Sequence, residues 1–239
     1  MEQQYCKESD KHEGFLAWPN GCQRYSQDDH SNLKCHFKGS ENIEYNYSEA
    51  MQDMFVLSML DGKREGVYIE LGADQPVIIN NSYMLESQYG WTGVSFEYDQ
   101  DKSNLFNKVR KNDCICADAI QFDYEELFKE RNYPKQIDYL QLDIDPTTGT
   151  FDALKRMPFD DYRFSVITFE TNVYTEGADI QEEQRILLDS KGYQRVIKNV
   201  KNEGNPFEDW WIDPLIVPSE RWILFHTSLG SEAKEMFLK

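Results

Sequence analysis

The sequence predicts an α/β fold, a doubly wound and mostly parallel sheet with helices on both faces. Three features predict it. From residue 48 onward, short apolar runs alternate with segments of helical periodicity, and each helical crossover brings the chain back to lay the next strand parallel to the last. The run Val67 to Ala73, VYIELGA, is an apolar strand closing on Glu70, Leu71 and Gly72, and a glycine there lets the backbone turn tightly and approach a ligand. The strands then end one after another in carboxylates, at the edge where such sheets hold their ligands.

The regular pattern begins with a helix from Glu49 to Leu60, whose Met51, Met54, Phe55, Leu57, Met59 and Leu60 line a broad apolar face and which Gly62 helps to end. Strands follow at Val67 to Leu71, Thr92 to Glu97, Asp113 to Ala117, Ile137 to Ile144 and Phe164 to Phe169. Between them lie helices at Ser82 to Tyr89, Lys102 to Lys111, Tyr124 to Arg131 and Phe151 to Met157, with turns signalled by Gly90, Asn112, Pro134 and Asp160 to Asp161. A last helix, Ile180 to Ser190, is stopped by Gly192, and strands at Tyr193 to Asn199 and Trp222 to Thr227 are expected to complete a seven-stranded sheet with an antiparallel edge. Residues 1 to 45 are polar and lack sustained periodicity, so they read as an extension to one domain spanning 46 to 239. The extension carries Cys6, His12, Cys22, His30, Cys35 and His36 but no C-x-x-C pair, which favours a solvated arm over a zinc site.

With 239 residues, 40% of them hydrophobic, the chain can bury one full core. Its 25 basic and 43 acidic residues leave a net charge of −18, which argues against a nucleic-acid backbone or an anionic membrane surface and favours a neutral or cationic ligand. The first residues have no apolar core of a leader, and no window approaches the roughly 20 apolar residues of a membrane span. A soluble, cytoplasmic protein is expected. Five cysteines without framework spacing fit a reducing compartment, with Cys114 and Cys116 packing as small hydrophobes in a strand.

The predicted strands end, in order, at Glu70, at Glu97 and Asp99, at Asp118, at Asp143 and Asp145, and at Glu170. Any one of these alone reads as a solvated loop residue or a helix cap. Five acidic ends in succession point to a ligand site. The loop Gly72, Ala73, Asp74, Gln75, Pro76 lacks the G-x-G-x-x-G fingerprint that seats a pyrophosphate, and Asp74 would repel phosphate. S-adenosylmethionine, with a sulfonium, an ammonium and no phosphate, suits acidic strand ends better than a dinucleotide. Glu97, about 25 residues past Gly72, is placed to accept both ribose hydroxyls, and Asp118 with Ala119 to meet the adenine.

The runs QDMFVLSMLDGKREGVYIELGA, NNSYMLESQYGWTGVSFE, IDYLQLDID and FSVITFE, in that order over about residues 48 to 228, resemble the FkbM-type S-adenosylmethionine-dependent methyltransferases. The resemblance implies a Rossmann-like class I methyltransferase fold and O-methylation, in that family often of sugar or glycan hydroxyls. Carried over by position, Glu70, Gly72 and Ala73, with Asp74 beside them, would hold the methionine part, Glu97 the ribose, Asp118 and Ala119 the adenine, and Asp143 the methionine amine or the acceptor. Thr171 and Asn172 follow Glu170 where the closest relatives would carry His and Asp, which leaves the catalytic base open.

Methyl transfer is an in-line displacement at a sulfonium carbon, so the acceptor oxygen must be held in place and relieved of its proton. Asp143 and Asp145, two apart, are expected on one face of a strand. That suits a base with an anchor, or two ligands of a hard divalent ion. With Glu170 the trio could hold magnesium or calcium, or it could relieve its crowding by a raised pKa. His226, at the end of the expected last strand, is a conceivable base or a packed histidine. In Asn202 to Pro214, NEGNPFEDWWIDP, Phe207, Trp210 and Trp211 alternate with Glu208, Asp209 and Asp213, an aromatic and acidic acceptor pocket or a loop stapled to the core by its tryptophans. Tyr174 and Glu176 would share its rim. The reading is an O-methyltransferase acting on a sugar hydroxyl of a glycan or glycoconjugate. The alternatives are another small-molecule or lipid acceptor, or a glycan-binding protein without turnover.

Overall fold

The computed structural model describes residues 23–24, 33–43, 45–173, 178–202, 204–226 and 230–237. Helix α1 (Gln52–Met59) precedes β1 (Val67–Leu71), and then α2 (Tyr83–Tyr89), β2 (Thr92–Glu97), α3 (Gln100–Val109) and β3 (Asp113–Cys116) follow in strict alternation. The alternation continues through α4 (Tyr124–Glu130), β4 (Gln136–Leu142), α5 (Thr147–Arg156), β5 (Arg163–Glu170) and α6 (Asp179–Ser190). A hairpin of β6 (Gln194–Asn202) and β7 (Asn205–Ile212) and two short helices, α7 (Ser219–Trp222) and α8 (Ala233–Phe237), end the chain. The seven strands lie in the order β3-β2-β1-β4-β5-β7-β6. Strands β1 to β5 pair in parallel, while β7 runs antiparallel between β5 and β6. The order reverses between β1 and β4, so crossovers leave in opposite directions and a crevice opens beyond the carboxyl ends of those two strands.

Strand alternation sorts the core into two layers. Tyr68, Tyr139, Val166, Trp210 and Ile212 pack on one face with Met54 and Phe55 of α1 and Met84 and Leu85 of α2. Ile69, Leu71, Leu140, Leu142, Ile167 and Trp211 pack on the other with Phe128 of α4, Leu154 of α5 and Leu188 of α6. Asp99 starts α3 by accepting from the amides of Asp101 (2.8 Å) and Lys102 (3.0 Å), and Asp123 starts α4 by accepting from that of Glu126 (3.0 Å). Among the described residues no helix is long and apolar enough to cross a membrane.

Three expectations are corrected. The segment read as an acceptor loop is β7 itself, and Phe207, Trp210 and Trp211 are core residues, the two tryptophans at 0% exposure. Neighbours on a strand point to opposite faces, so Trp210 stacks 4.6 Å from Phe55 while Trp211 enters the other layer. The acids between them are held internally: Asp209 by Arg185 (2.7 Å), Asp213 by Arg163 (2.6 Å) and Glu208 by Gln52 (2.9 Å). The expected strand from Trp222 is instead the end of α7 followed by turns, because Pro218 opens a helical turn and Arg221 anchors it to Asp61 and to the His36 carbonyl (3.0 Å). Lastly, Leu33, Phe37 and Ile43, which the sequence placed in a polar arm, are buried in the first core layer. Cys6, His12, Cys22, His30, Tyr174 and Glu176 lie outside the described residues.

Trp210→Ala is expected to lower the unfolding free energy by about 3–5 kcal/mol, as for other buried aromatics. Urea denaturation measures it, and a loss below about 1 kcal/mol would mark a surface residue.

Candidate active site

Chain geometry at Gly72 builds the site. Its φ is +82°, and a Cβ placed on it would lie 1.7 Å from the Asp143 carbonyl oxygen, so a side chain would prise the β1 and β4 tips apart. The Gly72 and Ala73 amides both donate to the Phe96 carbonyl at 3.0 Å, and the Asp143 amide donates to that of Leu71 at 3.0 Å. Three strand tips are thereby laced together directly beneath a cavity of about 640 Å³, a volume suited to a cofactor with part of a second ligand.

The predicted cofactor residues Glu70, Gly72, Ala73, Asp74, Glu97, Asp118 and Ala119 all line this cavity, and so do Asp143, Asp145 and Glu170. With Glu49 the wall carries, among the described residues, eight acidic side chains against one cation, Lys102, which is engaged by Asp74 and held above its ordinary pKa by it. Glu97 is fixed at the tip of β2 by the amides of Asp74 (3.0 Å to Oε2) and Asp99 (2.9 Å to Oε1). One lone pair remains on each oxygen, a geometry that can receive a vicinal diol. Glu70 is buried and accepts from the Ser82 (2.9 Å) and Ser95 (2.6 Å) hydroxyls, with burial raising its pKa and Arg110 opposing that. Asp118 accepts from the Ile120 amide (2.9 Å) and the Gln121 amide side chain (2.8 Å), which orients it on the wall. Asp99 is a helix cap rather than a wall residue, and the two amides it accepts from hold its carboxyl below the usual range.

At the other end, β4 stops at Leu142, so Asp143 and Asp145 sit in the loop beyond the strand and not on one strand face; Asp145 is exposed. Asp143 and Glu170 hydrogen-bond to each other, and burial pushes both up. Glu170 is pushed up to about 11 by burial first and by the neighbouring Asp143 next, so at neutral pH it keeps its proton and donates to Asp143. Glu208, opposite Glu170 in the β5–β7 register, is pushed up to about 8 by burial, against the Trp210 and Gln52 donors. Among the described residues no three His, Cys, Asp or Glu side chains are grouped to hold a metal ion; of the two readings left open for Asp143, Asp145 and Glu170, the upward shifts of Asp143 and Glu170 accord with the raised pKa. His226 is exposed and not on the wall, and neither are Phe207, Trp210 and Trp211.

Sequence reasoning missed Asn80, Asn81, Tyr98 and Gln141. Gln141 lines the cavity at 1% exposure with Oε1 lacking any hydrogen-bond partner. Its signal was present, as a lone amide inside the apolar strand IDYLQL. Asn80 and Asn81 gave only a turn signal.

The strand order, with β7 inserted antiparallel, and the crevice beyond β1 and β4 define the Rossmann-like fold of class I S-adenosylmethionine-dependent methyltransferases. No protein-family model matches the chain, and no curated protein matches it. Solved structures similar to it include an rRNA methylase from Streptococcus thermophilus, at 11% identity and a TM-score of 0.46 over 68% of this chain and 94% of that one. An O-methyltransferase from Bacillus cereus in complex with SAH is similar at 14% identity and a TM-score of 0.45, over 68% and 80% of the two chains. Aeropyrum pernix fibrillarin with natively bound S-adenosyl-L-methionine is similar at 14% identity and a TM-score of 0.45, over 74% and 80%.

Gly72→Ala is expected to cost about 2 kcal/mol or more, from the left-handed backbone and the carbonyl contact together, and thermal unfolding reads it. Glu170 tests the buried pair. Its folded pKa lies above the unfolded value, so its contribution to stability falls as pH rises from the unfolded toward the folded value. Glu170→Gln should therefore gain thermal stability over the parent as pH is raised from about 5 to about 9, and a constant difference in Tm across that window would show no proton on Glu170.

Proposed function

We propose that this chain is an S-adenosylmethionine-dependent O-methyltransferase of the FkbM type, acting on a sugar hydroxyl of a glycan or glycoconjugate. The observation that carries the reading is the wall of acceptors beyond β1, β2 and β4, with Glu97 held by two amides and, among the described residues, Lys102 as the wall's one cation, engaged by Asp74. Such a wall fits a ligand that brings a sulfonium, an ammonium and a ribose diol, and Gly72 keeps the backbone close enough to meet it. Glu97 takes the ribose, Asp118 and Ala119 the adenine, and Gly72, Ala73, Glu70 and Asp74 surround the methionine end. When bound, S-adenosylmethionine supplies a methyl group on positive sulfur, and the electron pair of the broken C–S bond stays with the sulfur. Asp143 receives the hydroxyl proton as the acceptor oxygen bonds the methyl carbon, while the protonated Glu170 holds Asp143 in orientation. Support for a sugar acceptor comes from the FkbM resemblance, since the tryptophans expected to stack on one are in the core. Free thiols at Cys35, Cys114 and Cys116 accord with a cytoplasmic setting.

Calorimetric titration with S-adenosylhomocysteine tests the reading. The intact chain should bind it, and Glu97→Ala should lose about tenfold or more in affinity, the effect of removing a charged hydrogen-bond acceptor. No binding by the intact chain, or unchanged binding by the variant, would refute the assigned cofactor site.

A further inference from the structure

On the β4 and β5 side of the cavity, across β1 from the β2 side that leads to Lys102, the wall includes Gln141, Asp143, Asp145 and Glu170. Gln141 carries the argument, because its carbonyl oxygen is buried, lacks a partner and belongs to a side chain on the cavity wall. A buried acceptor left unmet costs about 1–3 kcal/mol, so the site fits a ligand that brings a donor to it. Its surroundings say what kind of donor. Gln141 pairs in register with Glu70, and Asp143 lies two residues on, so two carboxyl-bearing residues share its side of the sheet. A neutral hydroxyl both donates and accepts, and in such company its own lone pairs go unmatched. An ammonium has three donors and no acceptor, and its charge is attracted by the carboxylates that would repel an anion. The cofactor adds a sulfonium, an ammonium and a carboxylate, a net single positive charge against a wall of eight acidic side chains of which Glu170 keeps its proton.

We propose that the acceptor end of this cavity binds an ammonium group through Gln141 Oε1 and Asp143, so that the methyl acceptor is a hydroxyl compound of the amino-sugar class. This rests on the methyltransferase reading of the same cavity and narrows its substrate. Gln141 is here a specificity residue, while Asp143 meets both the ammonium and the reacting hydroxyl.

The test uses the intact chain saturated with S-adenosylhomocysteine and three probes below neutral pH: glucosamine, glucose and N-acetylglucosamine, with affinities from ligand-observed NMR titration. Glucosamine should bind about tenfold more tightly than either neutral sugar, as one charge-assisted hydrogen bond in a dry site supplies. Gln141→Leu, which replaces the orphaned amide by an apolar group of similar size, should bring that preference down to about twofold or less while S-adenosylhomocysteine affinity holds. Equal binding of all three probes overturns the proposal and leaves the methyltransferase reading standing. A Gln141→Leu variant that loses S-adenosylhomocysteine instead of glucosamine preference also overturns it, by giving the amide to the cofactor. Failure of the intact chain to bind S-adenosylhomocysteine removes both readings.

Discussion

Arg110, at the C-terminal end of α3, buries its guanidinium between the sheet and the loop that walls the cavity, and each of its three nitrogens is satisfied there. Nε donates to Glu86 (3.0 Å), Nη1 to the Pro76 carbonyl and to Asn80 Oδ1 (both 2.9 Å), and Nη2 to the Tyr68 (3.2 Å) and Ser82 (3.1 Å) hydroxyls. The rings of Phe106 and Tyr83 flank it at 4.6 and 5.3 Å. The partners then position the wall. Asn80 donates onward to the Ala73 carbonyl (3.2 Å), and Ser82 to Glu70 (2.9 Å). A buried pair of this kind stabilises little on balance, but stripping one partner costs about 3–5 kcal/mol because the other charge is stranded. The planar fork is what one cation needs to organise a loop from several directions at once.

The distribution of negative charge separates scaffold from site. Asp138, Asp209 and Asp213 are buried acids, and each is met by a cation from elsewhere in the chain: Lys63 at 2.7 Å, Arg185 at 2.7 Å and Arg163 at 2.6 Å. Along the cavity wall the one cation among the described residues is Lys102, engaged by Asp74. The fold spends its arginines on its interior and leaves the wall of the crevice acidic. Asp143 and Glu170 cope with their proximity by sharing a proton, which places a hydrogen-bonded carboxyl pair on the cavity wall.

Much of this was legible beforehand because strand signals are local. The runs VYIEL and TGVSFE are apolar, β-branched or aromatic, and closed by Gly or acid, and they form strands over the residues expected. The acidic strand ends were readable too, since parallel topology dictates that carboxyl ends share an edge. The error at β7 has an equally physical source. Asn205, Pro206 and the acids Glu208, Asp209 and Asp213 in NPFEDWWID read as loop, because the arginines that compensate for burying Asp209 and Asp213 lie 24 and 50 residues away in sequence. Without those partners a strand so charged would not be buried. The same distance hid the role of the tryptophans, which alternate across a sheet that only the hairpin with β6 completes.

The sequence by itself determined the alternating architecture, the glycine turn after β1 and the row of acids at the crevice, because periodicity, backbone freedom and charge are properties of short segments. Tertiary structure alone decided which acids are neutralised and which line the cavity, that burial pushes the neighbouring Asp143 and Glu170 up, that Trp210 and Trp211 are core, and that Gln141 Oε1 is buried without a partner. Each of those depends on desolvation and on partners far along the chain, and burial is a property of the assembled fold and not of any residue within it.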